Sequence, residues 1–469
     1  MPARSRERAR VDTTQNSTRS RSWLPSGSIL LLALAVTLFA GCASGPSPGE
    51  KEARQRAAEV ERTYRPEGRK PALPVLSADS PPADYLRFAL LNHPQVVAAY
   101  YDWRAAIEAI APARALPDPQ ITFQADITDT LMSLMPGLMF DIMAPGKRAA
   151  MGREAAASSA VAYHAYATAV LGTAVEVRKA WVELAYLEEA LALRRQSAAV
   201  LEQSLAAAQA DYATGRGMGT LEEQTKFLNE TGQLKNELAG VAERRAAARA
   251  RFKSALGLQR EDADPAWPAQ PFPSAPLPDE EMLWRQVLTA NPQLAAMRAM
   301  VEMTMAQTDV AHRARTPDFT AGLMVDLKAD PLMFRPTATM TLPVWREKIA
   351  GIIASAEARR LAAEARLNAE QLAMATELAQ MLFMVREADR MAAYIDDTAL
   401  PNLARALASA QAAYQSGMGG FGPLAELHLM QLAMQLERAD ARREREAALA
   451  DLSLLVAGDV PTAGLLTTP

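Results

Sequence analysis

"QITFQADIT", residues 120–128, alternates without a slip. Ile121, Phe123, Ala125 and Ile127 point one way and Thr122, Gln124, Asp126 and Thr128 the other, because side chains along a strand change face at every residue. Three further runs keep the rule. Leu138, Phe140, Ile142 and Ala144 alternate against Met139, Asp141 and Met143. Phe319, Ala321, Leu323, Val325 and Leu327 alternate against Thr320, Gly322, Met324, Asp326 and Lys328, and Ala338, Met340 and Leu342 against Thr337, Thr339 and Thr341. Almost everything around these runs reads as long helix rich in Ala and Leu.

A run of about 9 to 11 alternating residues suits a tilted membrane-spanning strand. In lipid every backbone donor and acceptor must be paired, so a sheet crossing a bilayer closes on itself. Four strands are too few for that, since single-chain barrels start at about 8. The chain is therefore expected to pool strands with copies of itself. Two copies give an eight-stranded barrel, filled by its own side chains, so a conducting pore favours three copies and twelve strands. In that arrangement Thr122, Gln124, Asp126, Thr128, Thr320, Asp326, Thr339 and Thr341 line water, while the Ile and Phe face meets lipid. The other reading of the pattern is a small amphipathic sheet on a soluble helical body.

The strands belong to a unit that occurs twice. "LLNHPQVVAAYYDW" (90–103) answers "LTANPQLAAMRAMV" (288–301), with Pro94 and Pro292 in register 198 residues apart. "LPDPQITF" (116–123) answers "TPDFTAGL" (316–323), with Pro117 and Pro317 200 apart. "ADYATGRGMGTLEE" (210–223) answers "AAYQSGMGGFGPLAE" (412–426), with Tyr212 and Tyr414 202 apart. Three matches in one order at a nearly constant offset make the chain a tandem duplication. The first repeat is placed at 83–264 and the second at 280–458. The linker between them, 265–279, carries six prolines, which remove donors and fix φ so that no helix crosses it.

Each repeat opens with a helix (83–115 and 280–315), continues through its two strands, and then enters a very long helix. No proline falls between Pro145 and Pro265, so the helix from Lys147 to Thr214 would run about 100 Å at about 1.5 Å per residue. Its counterpart runs from Arg346 to Ser416 with an interruption expected at Pro401. A Gly-rich turn and a second helix follow in both repeats (220–257 and 424–457). Helices of this length do not fit inside one globule and are expected to pack side by side as coiled coils.

The amino-terminal end reads as an export address. Six arginines (Arg4, Arg6, Arg8, Arg10, Arg19 and Arg21) precede an apolar run from Ile29 to Gly41, which at 13 residues falls short of the roughly 20 that span a bilayer. A basic region, a short apolar stretch and small residues before a cleavage point describe a secretory signal, placed at 1–41. Cys42, the sole cysteine, follows directly, which excludes an intramolecular disulfide. "LFAGC" resembles a bacterial lipobox, in which the cysteine is acylated (palmitate among the acyl chains) and becomes the mature N-terminus. Phe39 stands where that motif usually has Leu. The competing reading is a plain signal peptide with an incidental cysteine. Ala43 rather than Asp implies, by the same resemblance, sorting to the outer membrane. Residues 42–82 read as a lipidated, extended tether rich in Gly, Pro and charge, and 459–469 as a short tail.

At this point the duplicated unit, the "NHPQ" and "NPQ" openings and the paired "DYATG" and "AYQSG" turns resemble the TolC-type outer-membrane efflux proteins, over residues 83–457. The resemblance implies a homotrimer with a twelve-stranded β-barrel on a long α-helical barrel that reaches into the periplasm. It implies the exit duct of a tripartite pump or type I secretion system, working with a periplasmic adaptor and an inner-membrane pump. "APGKR" (144–148) is similar to the heavy-metal exporter branch of that family. The family's periplasmic gate lies after the Tyr-x-x-Gly motifs. Carried over by position, this implicates Tyr212, Gly215 and Glu222 in the first repeat and Tyr414, Gly417 and Glu426 in the second. Pro423 stands where the second repeat usually has another acid. The plainer reading of Glu222, Glu223 and Glu426 is that they are first-turn acids favoured by the helix dipole.

Other chemistries find little support. The net charge of −4 argues against nucleic acid, which needs a basic surface, and aromatics at 6% supply few stacking platforms. His93, His164, His312 and His428 are scattered, without metal-ligand spacing, so no metal site, cofactor or enzymatic activity is expected. "GRGMG" and "GMGGFG" follow long helices rather than strands, unlike phosphate loops. Met132, Met135, Met139 and Met143 cluster near the first strand pair, where thioethers would suit copper(I) but equally fill irregular apolar surface. Beside the export duct stand two alternatives, a periplasmic adaptor and a structural coiled-coil lipoprotein. An adaptor would show one helical hairpin flanked by β-rich segments. A coiled-coil lipoprotein leaves the four amphipathic strands without a purpose.

Overall fold

The computed structural model describes residues 45–127, 131–214, 221–274, 276–416 and 418–457. The signal segment 1–41, Cys42, Thr128, Gly215, Gly417 and the tail 459–469 lie outside the described residues.

The stretch expected to be an extended tether instead begins with a helix, α1 (Pro48–Tyr64). Ser47 caps it by accepting the Glu50 amide at 3.1 Å, and Pro48 supplies the φ that suits a first turn. Ala57, Val60 and Tyr64 recur at helical spacing and are buried. Composition averaged over 42–82 concealed that stripe, which folds because it has a core to cover.

The first repeat continues as α2 (Pro82–Asn92), α3 (Pro94–Glu108), α4 (Ile110–Arg114), β1 (Gln120–Ile127), β2 (Leu131–Ile142), α5 (Lys147–Thr214) and α6 (Leu221–Ala255). The second runs through α7 (Glu280–Ala290), α8 (Pro292–His312), β3 (Phe319–Asp326), β4 (Met333–Met340), α9 (Arg346–Tyr394), α10 (Leu400–Gln415) and α11 (Phe421–Val456). The opening helices are thus not continuous. They break at the Asn92-His93-Pro94 and Asn291-Pro292 motifs, where Pro94 and Pro292 each take the first turn of a new helix.

Those motifs have a second purpose. Asn92 Nδ2 donates to the Leu256 and Gly257 carbonyls at 3.0 and 2.9 Å, and Asn291 Nδ2 donates to the Leu455 carbonyl at 2.7 Å. The Asn92–Leu256 and Asn291–Leu455 pairs are each 164 residues apart, so one asparagine ties the start of a repeat to the orphan carbonyls ending its last helix. Gly257 (φ +73°) and Ala457 (φ +48°) hold the left-handed cap positions there. A Cβ on Gly257 would lie 2.7 Å from His93 Cα, so the first repeat needs glycine at this closure.

The break expected at Pro401 is milder than a helix end. Residues Ile395–Ala399 form one π turn, and Pro401 enters the first turn of α10. Proline has no N–H for the Asp397 carbonyl, and one wide turn absorbs the mismatch while the helix continues.

The first repeat packs around Tyr64, Tyr85, Tyr100, Trp103, Tyr166, Trp181 and Phe252. Trp103 stacks on Tyr166 with ring centroids 5.6 Å apart, and Tyr85 meets Trp181 edge-on at 4.9 Å. Burial in this cluster pushes the Tyr64 phenol up to about 12. The Pro-rich linker is held against it: Trp181 Nε1 donates to Gln270 O at 2.9 Å and Tyr85 OH to Ala266 O at 2.8 Å. The second repeat has an aliphatic core of Leu283, Val287, Leu294, Met374, Leu382 and Leu452. The repeats meet along α5 and α11, where Arg178 pairs with Glu446 at 3.0 Å and Lys179 with Asp451.

The strands form one antiparallel sheet in the order β1-β2-β3-β4, with β1 and β4 at free edges. Thr122 faces Gly137, Gly137 faces Met324, and Thr320 faces Thr339. The register therefore gathers Ile121, Phe123, Leu138, Phe140, Phe319, Leu323, Phe334 and Met340 on one side, away from every Thr, Asp and Gln of the strands. This apolar side is uncovered: Phe123 is 74% and Ile127 72% exposed. No helix among the described residues is long and apolar enough to cross a membrane.

Candidate functional site

Two places on the chain carry the residues singled out by sequence: the polar side of the sheet, and the ends of the long helices.

The strand registers place Thr122, Gln124, Asp126, Thr320, Asp326 and Thr339 on one side of the sheet. Thr341, just past β4, keeps the ladder going by donating its amide to Asp318 O at 2.9 Å. The carboxylates on this side are engaged. Ser133 Oγ donates to Asp126 Oδ2 at 2.9 Å, and Thr320 Oγ1 to Asp141 Oδ1 at 2.7 Å. Asp326, buried, accepts the Lys328 amide at 3.0 Å and lies 3.8 Å from Arg335 Nη2. Ser133 and Arg335 were not anticipated. Arg335 was hidden because Pro336 makes the residues before Thr337 look like a break, although an edge strand tolerates proline. Extending the period of two back through Pro336 to Met333 would have found it.

Met135, Met139 and Met324 share this polar side, and two glycines make room for two of them. A Cβ on Gly137 would sit 2.6 Å from Met324 Cγ, and one on Gly322 would sit 2.8 Å from Met139 Cγ. Each glycine thus lets a thioether chain lie across the neighbouring strand. Among the described residues no group of three His, Cys, Asp or Glu side chains is placed to hold a metal ion.

Below the sheet, "APGKR" acts as a clasp between repeats. Gly146 takes φ +79°, and Arg313 Nη1 reaches the Pro145 carbonyl at 3.3 Å. Asp318 accepts from the Ala144 amide at 2.9 Å and from Lys147 Nζ. The basic residue after Pro-Gly is therefore spoken for by the second repeat.

At the far ends of the helices, Tyr212 lies near the end of α5 and Glu222 at the second position of α6, both exposed. Tyr414, near the end of α10, packs edge-on against Phe421 at 5.6 Å. Glu426 accepts from Lys226 Nζ, joining α11 to α6. The structure brings Glu426 to a lysine of the other repeat, a partner no local pattern announced.

The start of α1 is pinned near the base of α5. Glu50, 1% exposed, accepts from Arg54 Nε at 3.1 Å and Arg114 Nε at 2.7 Å. Burial alone would raise its carboxyl, but the two guanidinium bonds and their charges hold it below the ordinary carboxylate range. Along α5, burial and the Arg56 charge push the His164 imidazole down to about 4, so it packs neutral.

Residues 283–458 match the model of the family described as outer membrane efflux protein. Among curated proteins none matches the sequence. Solved structures share the fold across most of the chain. The outer membrane protein VceC of Vibrio cholerae is 17% identical with a TM-score of 0.67, covering 81% of this chain and 96% of its own. CusC, known from crystal structures of its folding and transmembrane channel formation, is 14% identical with a TM-score of 0.69, covering 82% of this chain and 94% of its own. The open state of the MtrE outer membrane channel of Neisseria gonorrhoeae is 17% identical with a TM-score of 0.68, covering 81% and 90%. The resemblance to TolC-type channels read from the sequence holds in the family domain of the second repeat and in the fold of the chain.

Proposed function

We propose that this chain is the outer-membrane exit duct of a tripartite efflux pump, assembled from three copies and conducting passively. The observation that carries the reading is the sheet. One side is wholly apolar and exposed, the other carries the polar side chains, both edges are unpaired, and long helices leave from its base. Lipid contact explains the first property, a water-filled lumen the second and closure with further copies the third. Three copies supply twelve strands, enough to leave a lumen where eight would be filled.

The duct does no chemistry of its own in this reading. Energy and cargo choice belong to an inner-membrane pump reached through a periplasmic adaptor, with heavy-metal ions one candidate cargo class. The turns around Gly215 and Gly417, with Tyr212, Glu222, Tyr414 and Glu426, form the periplasmic gate. Cys42, acylated, anchors the amino terminus, and in sequence five residues separate it from Pro48, where α1 begins. Gly49 lies against Ala156, in the membrane-proximal part of α5, since a Cβ there would be 3.4 Å from Ala156 Cβ.

Detergent-extracted protein is expected to sediment as a trimer and to give discrete conductance steps in a planar bilayer. A stable, folded monomer that does not conduct would overturn the reading.

A further inference from the structure

The duplication supplies a template for a contact that one chain cannot show. We infer that β4 of one copy pairs with β1 of the next in the register with which β2 pairs with β3 inside the chain. This rests on the multi-copy barrel proposed above and specifies which atoms meet when it closes.

The two hairpins of the chain are superposable in register. Gln120 faces Met139 in the first, and Thr320 faces Thr339 in the second, a shift of 200 residues on both strands. Pro136 and Pro336 also differ by 200 and face Phe123 and Leu323 in turn. The junction between hairpins, β2 with β3, sets Gly137 against Met324, Met139 against Gly322 and Asp141 against Thr320. Applying the shift to both strands gives the junction between copies. Thr337 comes opposite Gln124, Thr339 opposite Thr122 and Thr341 opposite Gln120 of the next copy. On the other side Ala338 meets Phe123 and Met340 meets Ile121.

Three independent features agree with this register. Over the paired residues 337–341 and 120–124, every polar side chain of both edges lands on the polar side and every apolar one on the exposed apolar side, which a slip of one residue would reverse. Among the described residues, Thr122 Oγ1 and Thr337 Oγ1 are buried without a hydrogen-bond partner. The register gives each a new polar neighbour, Thr339 and Gln124. Beyond Pro336, Arg335 comes abreast of Asp126, an opposite-charge pair across the edge.

Cysteine cross-linking of the full chain in outer membranes tests the register. Directly opposed residues in an antiparallel pair have Cα atoms about 4.5–5.5 Å apart, within disulfide span, while partners displaced by two residues are about 7–8 Å apart. Thr339→Cys with Thr122→Cys is expected to give covalent dimers and trimers after oxidation with copper–phenanthroline. Thr339→Cys with Gln124→Cys, and each single variant, are expected to give none. If the displaced pair links and the opposed pair does not, or if neither links while the protein still sediments as a trimer, the register is wrong and the duct reading stands. A protein that is monomeric before any substitution removes the duct reading itself.

Discussion

Replacing Glu50 by glutamine is expected to loosen α1 without unfolding the rest of the chain. Its carboxylate is 1% exposed and accepts from Arg54 and from two nitrogens of Arg114, at 2.7 and 3.4 Å. Removing one partner of a buried ion pair costs about 3–5 kcal/mol when the other charge is stranded. Here the arginine side chains remain 39% and 26% exposed, and Arg54 keeps Glu108 at 3.2 Å, so water and a second carboxylate receive them. Glutamine also retains an acceptor oxygen. The loss is therefore about 2 kcal/mol, which corresponds to about a 30-fold rise in the open population of the segment. Hydrogen exchange of residues 48–64, read by mass spectrometry on the detergent-solubilised protein, should accelerate by that factor while the amides of α5 do not change. The sign of the pH dependence follows from the depressed folded value of Glu50. Its stabilisation is present above the ordinary carboxylate range and is lost as pH falls through the depressed value, because the opened segment takes up the proton first. Parent and variant should then exchange alike in acid. If exchange at neutral pH differs by less than threefold, burial of Ala57, Val60 and Tyr64 holds α1 and the ion cluster contributes nothing.

The gate and the anchor supply the other tests. Tyr414→Phe together with Glu426→Gln should alter single-channel conductance or cation preference and leave the trimer intact, since neither lies in a strand; parent-like conductance and selectivity would remove the gate assignment. The Lys226–Glu426 pair is about half exposed on each side, so it contributes at most about 1 kcal/mol per copy, and the change should be a shift of the opening equilibrium rather than permanent opening. Cys42→Ser should abolish acylation, and intact-mass spectrometry of the parent should show a mature N-terminus at Cys42 carrying lipid; an unmodified Cys42, or cleavage elsewhere, refutes the lipobox reading.

Sequence periodicity alone identified the strands and the long helices, because these depend on spacings within a few residues, and three motif pairs 198, 200 and 202 residues apart identified the repeats. The two faces of the sheet were legible for the same reason: once a residue is in a strand, the period of two assigns its side. The polar set Thr122, Gln124, Asp126, Thr320, Asp326 and Thr339 needed no tertiary information. The helix α1 was not legible from composition, since its narrow stripe of Ala57, Val60 and Tyr64 is meaningful only against the aromatic cluster it covers. Arg335 was lost to a local rule, that proline ends strands, which the edge position of β4 suspends.

What tertiary structure decided is which distant residues meet. Asn92 and Asn291 were visible as motif residues, yet their bonds to carbonyls 164 positions away depend on how each repeat closes. Lys226 meets Glu426, and Lys147 meets Asp318, only because one repeat lies against the other. A local pattern encodes dihedral preference and side-chain direction, whereas an ion pair between repeats needs a distance of a few ångströms set by the packing of whole helices. The sequence by itself determined what each segment is, and the packing of the two repeats determined what each charged group holds.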